Sequence, residues 1–468
     1  MARAKLGVAG LDAILHGGVV PGNAILVEGT PGAGKTTLGM QFIYSGITQH
    51  NEPGLIVTFE EFPSQMYRDA GMLGWDLQAL ANENKLKIIS TSPAVFRQET
   101  AGPSGLITQM AREIGAERVM VDSISHFQRL TQDPAEQREI FNALVNMLKR
   151  GGFTAMFTKE VKSRSGDEVS FEEYASDTAF RLTYEIEAST QRARYVEVVK
   201  ARGQDFIPGK HSFLIGRGGI TVFPSVALST DDDAAKAHIE RIDSGIPGLD
   251  EMLHGGFIRA WSLLLVGPAG SGKTIFGLQS VCFAAAKGES CLFLSLRERP
   301  SMLRATAESL SMPLGTRGGG SVDLVYQAPL PLNPYALVYR LLQWIDRKHY
   351  TRVVVDSLDD LSAGLGDPGR ALSLIRLVLD ELRRRGVTSI LIWGSRSEDE
   401  AGTVASTPQS GLVDAIISLR FVESQGVVRS GLAILKSRGT AHSTDIRPYQ
   451  ITSQGLSVVS RRVTVYDD

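Results

Sequence analysis

The chain has 468 residues, 43% apolar and 21% charged, which is enough for two compact domains of roughly 200 residues each and unlike a disordered chain. A formal net charge of −2 with a pI near 6.5 offers no basic footprint for a phosphate backbone, so nucleic acid is not the expected partner. The two cysteines, Cys282 and Cys291, sit in apolar runs that suit a reducing compartment; Met1 to Gly10 lacks the apolar core of a signal peptide, and no run reaches the roughly 18 apolar residues of a membrane span. A cytoplasmic protein without membrane contact is expected.

In chain order, Gly10-Leu11-Asp12 and His16-Gly17-Gly18 precede a β-branched run, Ala24 to Glu28, a glycine-rich turn and a helical stretch, Lys35 to Ile47. Strand-like runs follow at Leu55 to Phe59, Arg118 to Val121 and Thr154 to Thr158, with a helix over Pro134 to Arg150 and a further strand over Arg194 to Lys200. The whole pattern then repeats. Gly248-Leu249-Asp250 and His254-Gly255-Gly256 lie 238 positions on, and the later match of Arg118 to Ser123 with Arg352 to Ser357 lies 234 positions on. The second copy has strands at Ser262 to Val266, Cys291 to Leu296, Arg352 to Val355, Thr388 to Trp393 and Val428 to Lys436. Strands alternating with helices predict an α/β fold in two tandem P-loop domains, each a mostly parallel sheet flanked by helices. The expected boundaries are 1–226 and 240–468, with a linker at 227–239 holding the acidic run Asp231-Asp232-Asp233.

Two segments carry the strongest chemistry. Gly29, Thr30, Gly32, Ala33, Gly34, Lys35, Thr36 and Thr37 form a GxxxxGK[ST] turn between a strand and a helix, and Gly267, Ala269, Gly270, Ser271, Gly272, Lys273, Thr274 and Ile275 repeat it. The glycines let successive backbone N–H groups converge on phosphates at a helix N-terminus, and the lysines reach the β- and γ-phosphates of ATP. Asp122 and Asp356 end apolar strands beside these turns. With Thr36 and Thr274 they are the candidates for holding Mg²⁺. Glu60 and Glu61, adjacent carboxylates at a strand end, are candidates for orienting or deprotonating the attacking water. The second copy has Arg297 and Glu298 there, and a cation cannot act as base.

The paired P-loops, the GLD…GG opening, Phe59-Glu60-Glu61 and the late Lys-x-Arg-Gly segments together resemble the KaiC family of RecA-like ATPases, known from the cyanobacterial clock, over nearly the whole chain. The resemblance implies a double-ring homohexamer with ATP between neighbouring subunits, slow hydrolysis, Glu60, Glu61 and Glu298 at the catalytic positions, and a KaiB-like protein as partner. It also implies that Lys200 and Arg202, and Lys436 and Arg438, reach the next subunit's nucleotide; alone, Lys-x-Arg at a strand end would read as a solvated edge. Clock members phosphorylate an adjacent Ser-Thr pair in the second domain. Here Ser410 keeps the first hydroxyl and Gly411 replaces the second, with Ser406 and Thr407 nearby. Ser460 to Asp468 stands where clock members have a longer, KaiA-binding tail, so binding of that kind is not expected.

The leading expectation is a slow, ring-forming signalling or regulatory ATPase whose first domain carries most turnover while the second retains ATP. The alternatives are a serine/threonine autokinase acting near Ser410, a nucleotide-gated scaffold that barely hydrolyses, and a DNA-dependent ATPase like the RadA recombinases. The last needs basic channel loops, whereas Leu358-Asp359-Asp360-Leu361 is acidic. The eight histidines show no metal-ligand spacing, and Arg383-Arg384-Arg385 reads as a solvated helix end.

Overall fold

The computed structural model describes residues 3–100, 106–161, 169–186, 192–225, 240–314, 319–328, 333–363, 365, 367–394, 408–424 and 427–459. The chain divides into two compact units, Met1–Leu228 and Ser229–Asp468. The expected linker, 227–239, lies outside the described residues. No helix among the described residues is long and apolar enough to cross a membrane.

The first unit contains strands β1 (Ala24–Gly29), β2 (Gly54–Thr58), β3 (Leu86–Ser90), β4 (Arg118–Asp122), β5 (Thr154–Glu160), β6 (Thr178–Ile186), β7 (Arg192–Ala201), β8 (Lys210–Gly216) and β9 (Gly219–Phe223). They form one sheet in the order β3-β2-β4-β5-β1-β6-β7-β8-β9. Pairing is parallel from β3 to β6 and antiparallel from β6 to β9. The second unit opens with a short antiparallel ribbon, β10 (Arg241–Ile242) with β11 (Phe257–Ile258). Its sheet contains β12 (Ser262–Gly267), β13 (Ser290–Ser295), β14 (Ser321–Tyr326), β15 (Arg352–Asp356), β16 (Thr388–Gly394), β17 (Ala415–Ser424), β18 (Val427–Ser437), β19 (Arg447–Thr452) and β20 (Gly455–Val458). Their order, β14-β13-β15-β16-β12-β17-β18-β19-β20, repeats that of the first sheet strand for strand. These are two tandem RecA-like α/β domains.

The central strands are apolar throughout because both sheet faces are covered. Along β1, Ile25 and Val27 pack with Leu38, Phe42 and Ile43 of helix Lys35–His50, while Ala24 and Leu26 pack with Phe141, Leu144 and Leu148 of helix Pro134–Arg150. The alternation of strand side chains thus splits one core into two layers. Helix Pro134–Arg150 keeps its expected limits, set by Asp133 accepting from Ala135 N at the start, with Pro134 as first residue. The GLD…GG opening is structural. Gly10 and Gly248 have φ of 84° and 81°, and a Cβ on either would stand 2.0 or 2.3 Å from the carbonyl oxygen of Val222 or Val458, so these glycines let the chain close against the last strand of each sheet. Asp12 then accepts from the amides of Leu6 and Gly7, at 2.7 and 2.9 Å.

Two charged clamps recur. Arg118 and Arg352, each 1% exposed, begin β4 and β15. Arg118 donates to Glu52 (2.5 Å) and to Phe42 O (2.9 Å), and Arg352 donates to Glu289 (3.1 Å) and to Ser280 Oγ (3.1 Å). The second clamp lies at the helix end Arg383-Arg384-Arg385, where Arg383 and Arg384 are solvent-exposed as expected and all three also reach carboxylates. Arg383 donates to both carboxylate oxygens of the buried Asp414 (3.0 and 2.8 Å), Arg384 pairs with Glu381, and Arg385 pairs with Asp346 and Glu381. Lys149 and Asp177, 2.6 Å apart, make the equivalent pair in the first unit. Asp177 and Asp414 also accept from the first amides of β1 and β12, Ala24 N at 2.9 Å and Ser262 N at 3.0 Å. The cation at the helix end is therefore spent on the carboxylate that anchors the P-loop strand.

Removing one partner of a buried charge clamp costs about 3 kcal/mol. Arg118→Ala is expected to speed hydrogen exchange of the β2 and β4 amides about 100-fold, a fold-change that corresponds to roughly 3 kcal/mol. The β13 and β15 amides serve as internal reference, and unchanged β2 and β4 rates would remove the clamp from the stability of the first unit.

Candidate nucleotide site

Each P-loop follows the carboxyl end of the strand at the centre of its sheet. β1 ends at Gly29 and β12 at Gly267, and Gly34 and Gly272, with φ of 103° and 88°, form the left-handed N-caps of helices Lys35–His50 and Lys273–Ala286. A Cβ on Gly34 would combine a strained φ with a 2.9 Å approach to Ile215 Cδ1. Lys35 Nζ donates back to the carbonyls of Gly29 (2.9 Å) and Thr30 (3.0 Å), and Lys273 Nζ to those of Gly267 (2.8 Å) and Pro268 (2.7 Å). Burial lowers the pKa of both lysines, against nearby carboxylates that raise it. A cationic head over a cradle of backbone amides is an anion receptor.

Thr36 Oγ1 donates to Asp122 Oδ2 at 2.8 Å, and Thr274 Oγ1 to Asp356 Oδ2 at 2.7 Å. Thr158 Oγ1 donates to the other oxygen of Asp122. Burial raises the pKa of Asp122 and Asp356 above the ordinary carboxylate range, and the hydroxyls oppose it. A hydroxyl and a carboxylate within reach of a phosphate site form the all-oxygen donor set that hard divalent cations accept.

The carboxylates at the end of β2 are fixed by backbone bonds. Phe59 N donates to Asp122 O at 3.0 Å, and Thr58 Oγ1 accepts from Glu60 N (3.4 Å) and Glu61 N (3.1 Å). Burial raises the pKa of Glu61, followed by repulsion from Asp122, Asp69 and Glu60. Glu60 Oε1 meets Nε2 of the buried His126 at 2.8 Å. In the second unit Leu296 N donates to Asp356 O at 2.6 Å, and Ser295 Oγ accepts from Arg297 N (3.3 Å) and Glu298 N (2.8 Å). Burial raises the pKa of Glu298 as well, with Asp356 adding to it.

In the first unit these groups line one cleft of about 380 Å³, which takes in Lys35, Thr36, Thr37, Glu60, Glu61 and Asp122. It also takes in Ser123, Glu160, Arg194 and Ile215, which the sequence did not single out. Arg194 is the notable addition, its Nε 3.3 Å from Gly32 O. Its signal was the strand-like run Arg194 to Lys200, but nothing in the sequence says that this strand passes the P-loop.

The four Lys-x-Arg cations are not brought to their own unit's P-loop. Lys200 pairs in register with Ala179, and Ala179 with Leu26, three residues before Gly29 and so about 10 Å back along the strand. There Lys200 Nζ donates to the carbonyls of Glu173, Tyr174 and Ser176, and Arg202 to that of Tyr174. Lys436 pairs in register with Ile416, level with Leu264, and donates to the carbonyls of Ser410 and Val413 at 2.7 Å each. Arg438 lies 3.7 Å from Asp414. Ser410 itself is buried at the helix Pro408–Leu412, while Ser406 and Thr407 lie outside the described residues.

The fold and these sites define a protein of two P-loop units of RecA-like architecture in tandem. The sequence profile described as "ATPase: KaiC" matches residues 4–227 and again 242–463. Similar proteins are the circadian clock oscillator proteins KaiC of Thermostichus vulcanus, 32% identical with 96% of this chain and 88% of the relative covered, and of Synechococcus elongatus, 30% identical with 98% and 89% covered. That of a Picosynechococcus species is 31% identical with 96% and 88% covered. The chain belongs to the KaiC family of ATPases.

Gly34→Ala is expected to weaken ATP binding at the first site tenfold or more, measured by equilibrium binding in a Lys273→Ala background. An unchanged Kd would mean that the left-handed cap is not needed for the phosphate cradle.

Proposed function

We propose that the chain is a ring-forming regulatory ATPase in which the first unit carries most turnover and the second holds ATP. The observation that carries this reading is the single cleft joining Lys35, Thr36, Asp122 and Glu61. The P-loop amides and Lys35 bind the β- and γ-phosphates, with Arg194 beside the loop. Thr36 and Asp122, by their donor set, would hold Mg²⁺, which supplies charge neutralisation at the phosphate oxygens. Glu61 accepts a proton from water as the water oxygen bonds to the γ-phosphorus; the bond to the bridging oxygen breaks, and ADP leaves with the electron pair. A carboxylate with a raised pKa suits that task near neutrality.

The place of Lys200, Arg202, Lys436 and Arg438 supports assembly. They stand at the edge of each sheet opposite its P-loop, where a head-to-tail neighbour's nucleotide can lie, and repetition of such a contact closes a ring when the rotation permits. On the resemblance to KaiC, the proposed ring is a homohexamer and its proposed partner a KaiB-like protein. As trans cations these residues would neutralise charge on the transferred phosphoryl group.

Glu60→Gln with Glu61→Gln is expected to lower phosphate release at least about 100-fold. Lys273→Ala leaves most of it, and the reverse pattern would overturn the division of labour. Sizing with and without ATP and Mg²⁺ is expected to show assembly with nucleotide, and a monomer under both conditions refutes the ring. Because burial raises the pKa of Glu61, its carboxylate is protonated at a higher pH than that of an ordinary glutamate. The acid limb of the kcat profile should accordingly lie above the ordinary glutamate range and disappear in Glu61→Gln; a limb that survives the substitution assigns the base elsewhere.

A further inference from the structure

The two units share a backbone scaffold around the acids at the end of β2 and β13, and its hydrogen bonds correspond one to one. The serine or threonine that ends the strand accepts two amides in each: Thr58 from Glu60 and Glu61, Ser295 from Arg297 and Glu298. The turn after the neighbouring strand is tied to the next strand over by equivalent bonds. Glu160 N donates to Ser125 Oγ at 2.7 Å, and Gly394 N to Asp359 Oδ1 at 3.3 Å. Glu60 therefore occupies the place of Arg297, and His126, one residue past Ser125, the place of Asp360.

On this common scaffold the polarity of the side-chain pair is reversed. In the first unit the acceptor comes from the strand end and the nitrogen from the turn, Glu60 Oε1 to His126 Nε2 at 2.8 Å. In the second the donor comes from the strand end and the acceptors from the turn: Arg297 Nε to Asp360 at 2.6 Å and Nη2 to Asp359 at 2.6 Å. Ser357 Oγ, at the start of that turn, donates to Asp360 at 2.5 Å and fixes it.

We propose that this pair decides whether the adjoining site hydrolyses or retains its triphosphate, with His126 the positioning residue for Glu60 in the first unit and Arg297, held by Asp359 and Asp360, blocking water activation in the second. The inference rests on the reading that the first unit hydrolyses ATP. Glu60 is 65% exposed and has no reason to hold one rotamer, whereas His126 is 6% exposed, with its ring 6.2 Å from that of Phe59. A ring fixed in an apolar wall pins a mobile carboxylate beside Glu61, which is left to face the water. In the second unit a guanidinium fills the same place, so Glu298, the counterpart of Glu61, has a cation beside it where Glu61 has a carboxylate held by a histidine. The guanidinium's two aspartate partners confine it there.

The test has two arms on the full chain with ATP and Mg²⁺. In the first, His126→Ala is expected to lower kcat about tenfold with KM for ATP unchanged, and His126→Gln, whose amide can still donate to Glu60, to recover most of it. In the second, Arg297→Glu with Asp359→Ser and Asp360→His, placed in a Lys35→Ala chain whose first site is disabled, is expected to raise phosphate release at least tenfold over Lys35→Ala alone. Equal losses for the alanine and glutamine variants, a change in KM instead of kcat, or no gain in a graft that still binds ATP overturns the inference. These outcomes differ from failure of the functional reading, in which the unaltered chain releases no phosphate or Glu60→Gln with Glu61→Gln leaves its release intact.

Discussion

The hydrogen bond from the first-turn threonine of the P-loop helix to the aspartate at the end of the neighbouring strand organises each site. Thr36 to Asp122 and Thr274 to Asp356 are short, partly buried bonds that link the P-loop turn to β4 and β15. The same aspartates offer their main-chain oxygens to Phe59 N and Leu296 N, which fixes where β2 and β13 release their terminal acids. One residue thus sets the distance between the P-loop turn and the carboxylates at the end of the neighbouring strand. A misplaced aspartate would shift both, and phosphoryl transfer, which is catalysed mainly by positioning, tolerates little of that.

Anchoring from behind keeps that geometry rigid. Asp177 and Asp414 hold the first amides of β1 and β12, and Lys149 and Arg383 hold those carboxylates from the ends of the covering helices. The P-loop strand is therefore gripped at its start by charge and at its end by the loop itself. Lys200 and Lys436 belong to the starting edge. Their distance from their own P-loop is a consequence of strand register.

Much of this was legible in the sequence because the chain carries its own control. Strand and helix positions followed from apolar runs that recur at a nearly constant offset, and the P-loops from glycines in a strand-to-helix context. The edge strands β3 and β14 were not singled out, since their partial burial weakens the apolar signal. Arg194 was missed as a site residue because its role depends on an antiparallel strand returning past Gly32. His126 was set aside with the other histidines because metal-ligand spacing was the criterion, whereas its partner is a glutamate brought in by a different strand. Arg383 faces water as a helix-end cation usually does, but only the fold reveals Asp414 beneath it. Side chains that act through non-local partners are invisible to spacing, although comparing Glu60 with Arg297 and His126 with Asp360 across the repeat would have exposed the swap.

The duplicated scaffold bears on division of labour because the asymmetry is concentrated where chemistry would occur. Thr158, which donates to Asp122, is matched in register by Ile392 in the second sheet, and Arg194, beside the first P-loop, by Ser430. Glu60 and His126 give way to Arg297 and Asp360. Meanwhile the P-loop lysines, the metal-side threonine and aspartate, the buried Arg118 and Arg352, and the Asp177 and Asp414 anchors are kept in both copies. The P-loop lysine, the threonine–aspartate pair and the carboxylate Glu61 or Glu298 are thus duplicated, and the side chains around that carboxylate are not. Two sites that share a phosphate cradle but differ in the groups around one carboxylate can work at different rates on one ligand.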